Sequence, residues 1–122
     1  MKTFNEFINE NYEYANDAKD LKKQILADYS GVQLSFSERD EYVALDKIKV
    51  TDQGNGTGSE VMRHITDWAD ANDKILTLTP SADLGGSKPK LIKFYKKFGF
   101  IPNTGKNKIY EISDTMYRNP KF

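Results

Sequence analysis

Cysteine is missing from this chain, which excludes disulfides, thiolate zinc sites and cysteine nucleophiles. A chain without thiols fits a reducing compartment. Histidine is almost as scarce. With His64 alone, any metal site would need mostly oxygen ligands. Surplus charge is also lacking. Eighteen basic and eighteen acidic residues give a formal net charge of +0, so whole-molecule attraction to nucleic acid or to a membrane is not expected. No apolar run approaches a membrane span, and the first residues lack the apolar stretch of a signal peptide. Internal repeats and domain-separating linkers are absent too. What is there is 122 residues, enough for one domain with one modest core. Seven Phe, seven Tyr and one Trp supply much of what that core can bury.

Residues 3 to 28 carry Phe4, Phe7, Ile8, Ala15, Ala18, Leu21, Ile25 and Leu26 at helical spacings, with a second start available at Asn16-Asp17. Val32, Leu34 and Phe36 alternate with polar residues, which predicts a strand. Glu38-Arg39-Asp40 is a polar turn. By simple alternation Tyr42, Ala44, Asp46, Ile48 and Val50 then share one face of a second strand, with Val43 and Leu45 on the other. Val61, Met62, Ile65, Trp68 and Ala69 form the apolar stripe of a helix over 59 to 72. Trp68 reads as core, and His64 as a residue on the stripe's boundary. Ile75 to Thr79 is a buried strand, followed by a loop from Pro80 to Gly86. Ser87 can cap the next helix, with Pro89 in its first turn and Gly99 just past its end. Leu91, Phe94, Tyr95 and Phe98 are its apolar stripe. Residues 99 to 102 start another strand, and Lys108 to Ile112 form a final one. The order α, β, β, α, β, α, β, β predicts a mixed α/β domain whose central sheet pairs strands in both senses.

The segment from second strand to second helix is Val50-Thr51-Asp52-Gln53-Gly54-Asn55-Gly56-Thr57-Gly58. Glycines there let bare backbone N–H groups approach a phosphate. Asn55-Gly56 could turn a hairpin, but the residues that follow have period 3.6 and not 2. A dinucleotide fold needs a third glycine where Ser59 stands and a second βαβ half. A P-loop needs Gly-Lys-Ser/Thr. What fits is Gln53-x-x-Gly56-x-Gly58 opening an amphipathic helix. Downstream, in the same order as the elements demand, comes Phe94-Tyr95-Lys96-Lys97-Phe98-Gly99-Phe100.

These two motifs resemble those of the GNAT family of N-acetyltransferases, over residues 42 to 112. The resemblance implies the acyl-CoA N-acyltransferase fold, with acetyl-CoA as cofactor and an amine acceptor in a ternary complex. Gln53, Gly54, Asn55, Gly56, Thr57 and Gly58 would hold the pyrophosphate against the positive end of the helix. Ile48, Lys49 and Val50 would lie along the pantetheine, where a backbone N–H could polarise the thioester carbonyl. Tyr95 would be the general acid that protonates the departing thiolate. Asp46 is the candidate base for the amine. Lys88 stands where many members have an Asn, close enough in sequence to meet a coenzyme A phosphate. Lys90, Lys93, Lys96 and Lys97 line a solvated face or reach the 3′-phosphate. The acceptor would enter between the N-terminal helix, the Pro80 to Gly86 loop and the C-terminal strands, with Tyr110 and Tyr117 available to line it. The family often dimerises through sheet edges, so a homodimer is allowed.

The first ten residues, Met1-Lys2-Thr3-Phe4-Asn5-Glu6-Phe7-Ile8-Asn9-Glu10, resemble the capsid-targeting leader of internal head proteins in T-even-like bacteriophages. The resemblance implies cleavage after Ile8-Asn9-Glu10, packaging in the virion, and action in the host cytoplasm on a lysine of a host protein. The other reading of these residues is the first turns of a helix. Two rivals to catalysis stay open: a binding module that acts by occupying a partner, and a structural head protein.

Overall fold

The computed structural model describes residues 15–39, 41–51, 56–81 and 88–121. The elements run α1 (Ala18–Asp28), β1 (Val32–Arg39), β2 (Tyr42–Val50), α2 (Thr57–Ala71), β3 (Ile75–Leu78), α3 (Lys88–Lys97), β4 (Ile101–Pro102) and β5 (Met116–Arg118). The element order is the expected one. The strands make one sheet in the order β1-β2-β3-β5-β4. β2 and β3 are parallel, and every other neighbouring pair is antiparallel.

Local chemistry sets the helix ends. Asp17 is extended and its carboxylate accepts from the Asp20 N–H at 2.8 Å, so α1 begins at the second of the two available starts. The earlier part of that expected helix lies outside the described residues, as do Asp52 and the Ser87 cap. α3 ends as a glycine stop should. Gly99 sits at φ +94, its N–H donates to the Lys96 carbonyl, and the Phe100 N–H reaches back to the Tyr95 carbonyl.

The core lies on one face of the sheet. α1 contributes Ala18, Leu21 and Ile25, and α2 contributes Val61, Met62, Ile65, Trp68 and Ala69. The buried Trp68 indole N–H donates to the Ala15 carbonyl at 3.0 Å, which ties the approach to α1 onto α2. Arg118 pairs with Leu76 across β5 and β3, and so points to this same face. It binds the Asp70 carboxylate of α2 and the Phe98 carbonyl just beyond α3. All three described helices therefore cover one side of the sheet.

The strand faces differ from simple alternation. Ser35 pairs with Lys47 and Phe36 with Leu45, so Asp46 is the extra residue of a β-bulge. One inserted residue reverses the alternation after it. Val43 and Leu45 before the bulge thus share the core face with Ile48 and Val50 after it, opposite Val32, Leu34 and Phe36. Asp46 does not share a face with Ile48 and Val50. It stays on the other side with Tyr42 and Ala44, where its carboxylate accepts from the Ser37 hydroxyl.

The strand expected over Lys108 to Ile112 is not formed. A 3-10 turn at Gly105–Asn107 leads into a loop, and the last strand comes later, at Met116–Arg118. The buried Asn103 side chain takes the place of a ladder. Its amide N–H group faces the carbonyls of Ile109, Ile112 and Asp114 at 3.0 to 3.3 Å, and its oxygen accepts from the Ile109 N–H at 2.7 Å. One side chain satisfies the loop that a neighbouring strand would otherwise have to satisfy.

His64 is buried, not at the boundary. Its Nε2 lies 2.9 Å from the Tyr29 hydroxyl, joining α2 to the end of α1. Burial pulls its pKa below the ordinary 6.5, helped by the Arg63 charge and opposed by Asp67, Glu60 and Asp28. The fold therefore prefers neutral His64. This contribution is complete above pH 6.5 and is lost as pH falls through the lowered folded value. A His64→Gln variant should show a flatter melting temperature between about pH 7 and pH 5 than the parent. Equal slopes in the two proteins would rule this out.

Candidate active site

The described part of the glycine segment opens α2 without a side-chain cap. Gly56 is the N-cap residue, at φ +78, and Thr57 and Gly58 begin the helix. Among the described residues no side chain accepts from the first-turn N–H groups, which stand at the positive end of a fifteen-residue helix. Gly56 is needed for its backbone angle, because a Cβ there would meet nothing within 4 Å. Gly58 is different. It has an ordinary φ, and a Cβ on it would come 3.8 Å from Val50 Cγ2 and 4.0 Å from Phe94 Cζ. The end of β2, the start of α2 and the middle of α3 therefore meet around Gly58. Gln53, Gly54 and Asn55 lie outside the described residues.

Beside this junction the two parallel strands separate. Their last pair is Ala44 with Thr77, and β3 stops at Leu78 while β2 runs on to Val50. Past the bulge, no described strand pairs with β2 on that side. Ile48 and Val50 are half-buried on the core face, and Lys49 turns to the opposite one.

Tyr95 projects from α3 into this corner of the core. Its ring is buried and stands edge-on to Phe94 and Phe100, with centroids 5.3 and 5.8 Å away. Its hydroxyl makes no hydrogen bond among the described residues. No buried side-chain oxygen there lacks a partner, so the phenol oxygen opens onto solvent. Burial of the ring raises its pKa above 10.0, which keeps the proton on at neutral pH. Lys88 is the exposed first residue of α3.

The other face of the sheet carries a cavity of about 140 Å³ where β2 and β3 begin to part. Ser37, Tyr42, Asp46 and Thr77 line it from the strands, and Glu111 and Asp114 from the loop before β5. Asp114 is fixed there by the hydroxyls of Thr77 and Thr79, at 2.7 and 2.8 Å. Asp46 therefore lies in this cavity, on the far side of the strand from Ile48, Val50 and Gly58. Tyr110 and Tyr117 do not line it. Tyr110 is 85% exposed, under the Lys108 ammonium, and Tyr117 is buried with its hydroxyl on the Asn107 carbonyl. Sequence patterns gave no sign of Thr77 or Asp114, because the contact that joins them spans 37 residues.

No family model matches this chain, and no curated protein matches it. A solved structure does: "Crystal structure of Anti-CRISPR protein AcrVA5" superposes with a TM-score of 0.57 at 24% identity, covering 73% of this chain and 90% of that one. The fold is acyl-CoA N-acyltransferase-like. Membership of the GNAT family, by contrast, does not stand. The family search finds no match, and the matched structure carries the name of an anti-CRISPR protein. At this identity the motifs identify elements of a shared fold and go no further. The phage head-protein resemblance of residues 1–10 is withdrawn with the family, since no comparison returns such a protein and those residues lie outside the described ones.

Proposed function

We propose that this chain is an acetyl-CoA-dependent N-acetyltransferase that moves an acetyl group to a primary amine, in particular a lysine of a protein. The observation that carries this reading is the junction at Gly58. There a helix start that no described side chain caps, a strand edge that no described strand pairs and the helix bearing Tyr95 come together, close enough that a Cβ on Gly58 would touch both Val50 and Phe94. Acetyl-CoA bound at that junction would supply an activated acyl group. The α2 N–H groups would hold its pyrophosphate. A free β2 amide would donate to the carbonyl oxygen as negative charge builds on it. Tyr95 would give its proton to the departing sulfur. Asp46, on the opposite face at the bulge, would receive the proton that the attacking amine sheds, directly or through water. The amine would enter from the cavity on that face. The matched structure's name makes a lysine of a CRISPR component the first protein acceptor to test.

Gly58→Ala separates the demands of fold and ligand. A Cβ there makes only ordinary contacts, and alanine favours a helix over glycine by about 1 kcal/mol, so stability should hold or rise. Acetyl-CoA affinity by calorimetry should nonetheless fall about tenfold or more, because a Cβ would hold the pyrophosphate off the first-turn N–H groups. Equal affinity in parent and variant would remove the ligand from this junction. Binding without thiol release, with any amine offered, would favour the alternative of a module that acts by occupying a partner.

A further inference from the structure

Between Asp83 and Glu111 the chain has no acidic residue, yet it carries Lys88, Lys90, Lys93, Lys96, Lys97, Lys106 and Lys108. The rest of the chain holds eleven basic against eighteen acidic residues. A net charge of zero therefore conceals a strongly polarised molecule, and local field, not net charge, steers a polyanion. Five of these lysines are on α3, all exposed, and none forms an ion pair with a described residue. At 100° per residue Lys90, Lys93, Lys96 and Lys97 fall within an arc of about 120°, away from Tyr95 and Leu91. From Lys90 to Lys97 the arc is about 10 Å long. Lys121 adds to its end, since its ammonium would lie 3.3 Å from a Cβ on Gly99.

We infer that this lysine arc of α3 is a docking surface for a nucleic-acid backbone, bound without regard to sequence. Charge complementarity carries the choice. Lysines act as point charges on phosphates. No Arg and no exposed aromatic shares the arc, so bidentate base contacts and stacking are lacking. The surface is separate from the proposed acetyl-transfer site and does not depend on it.

The test is fluorescence anisotropy of the full chain with a labelled DNA duplex of arbitrary sequence. Four phosphate contacts predict a slope of log affinity on log salt of about −3 to −4, which is about a hundredfold between 50 and 200 mM. Lys93→Gln alone should reduce that slope by about one. Lys90→Glu/Lys93→Glu/Lys97→Glu should weaken binding about tenfold or more at 50 mM salt. Lys19→Glu/Lys22→Glu/Lys23→Glu on α1 makes the same change in net charge and should leave binding within about twofold. Four results would overturn the inference: no binding at 50 mM salt, equal loss in both triple variants, polyglutamate competing as well as DNA, or coenzyme A displacing DNA mole for mole. The third would make the arc an acidic-protein surface, and the fourth would assign it to the cofactor's phosphates.

Discussion

Replacing Tyr95 with Phe is expected to lower kcat for acetyl transfer about a hundredfold while leaving the fold as stable as before. The two halves of this result have separate causes. The ring's contacts with Phe94 and Phe100 survive the change, and the hydroxyl makes no hydrogen bond among the described residues whose loss would cost stability. The melting temperature should therefore stay within the change that about 0.5 kcal/mol produces. A structural tyrosine would do the opposite, losing stability and keeping turnover. In the proposed transfer the phenol would supply the proton that the departing thiolate needs, and a positioned acid of this kind contributes roughly 10²- to 10⁴-fold. The raised pKa, from burial, keeps the acid protonated across the neutral range. An alkaline limb set by its loss should appear in the parent and be absent from Tyr95→Phe. Steady-state thiol release, with calorimetry showing unchanged acetyl-CoA affinity, reads both halves. A kcat equal to the parent's would remove Tyr95 from the mechanism.

The sequence made such elements legible wherever their signal was local. The stripe from Val61 to Ala69, the Gly99 stop and the short apolar run at Ile75 each depend on neighbours within a turn or two, and each is present in the fold. The candidate site was legible in part for the same reason. The glycine start of α2 and the Tyr95 helix are local features, and the fold brings them together. Two other features were illegible because they are set at long range. The Asp46 bulge is a property of pairing with β1, and nothing in Leu45-Asp46-Lys47 announces an unpaired residue. Its effect on the site is large: it puts Asp46 on the face opposite Ile48 and Val50. The segment 108–112 has the β-branched and aromatic residues of a strand, but Asn103 binds its backbone first, and one asparagine among loop residues carries no such signal.

The same long-range logic sets a large expected loss of stability outside the apolar core, at Asp70. Arg118 is 4% exposed, and its guanidinium is held by both Asp70 oxygens, at 2.7 and 3.0 Å, and by the Phe98 carbonyl at 2.6 Å. Asp70 also accepts from the Lys121 N–H at 2.8 Å. The cluster thus ties α2, the end of α3 and the C-terminal strand together. Asp70→Ala strands a buried cation, and should cost about 3 kcal/mol, or about 10 °C in melting temperature for a domain of this size. Arg118→Met should cost less, because the Asp70 side chain is 25% exposed and can be hydrated when left alone. For the same reason the double variant Asp70→Ala/Arg118→Met should recover part of the loss. The pH dependence has a definite sign. Burial raises the Asp70 pKa, but the hydrogen bonds from Arg118 and Lys121 and their charges outweigh it, so the folded value lies below the ordinary 3.8. The pair's contribution is then complete above that value and fades as pH falls below it, so the gap between parent and Asp70→Ala should narrow in acid. Thermal melts from about pH 7 down to about pH 3 would measure this. A constant gap, or an Arg118→Met variant weaker than Asp70→Ala, would show that the carboxylate is not what holds the arginine. Because the Phe98 carbonyl belongs to the same cluster, Asp70→Ala should also loosen the end of the helix that carries Tyr95, lowering kcat at temperatures where the protein is still folded.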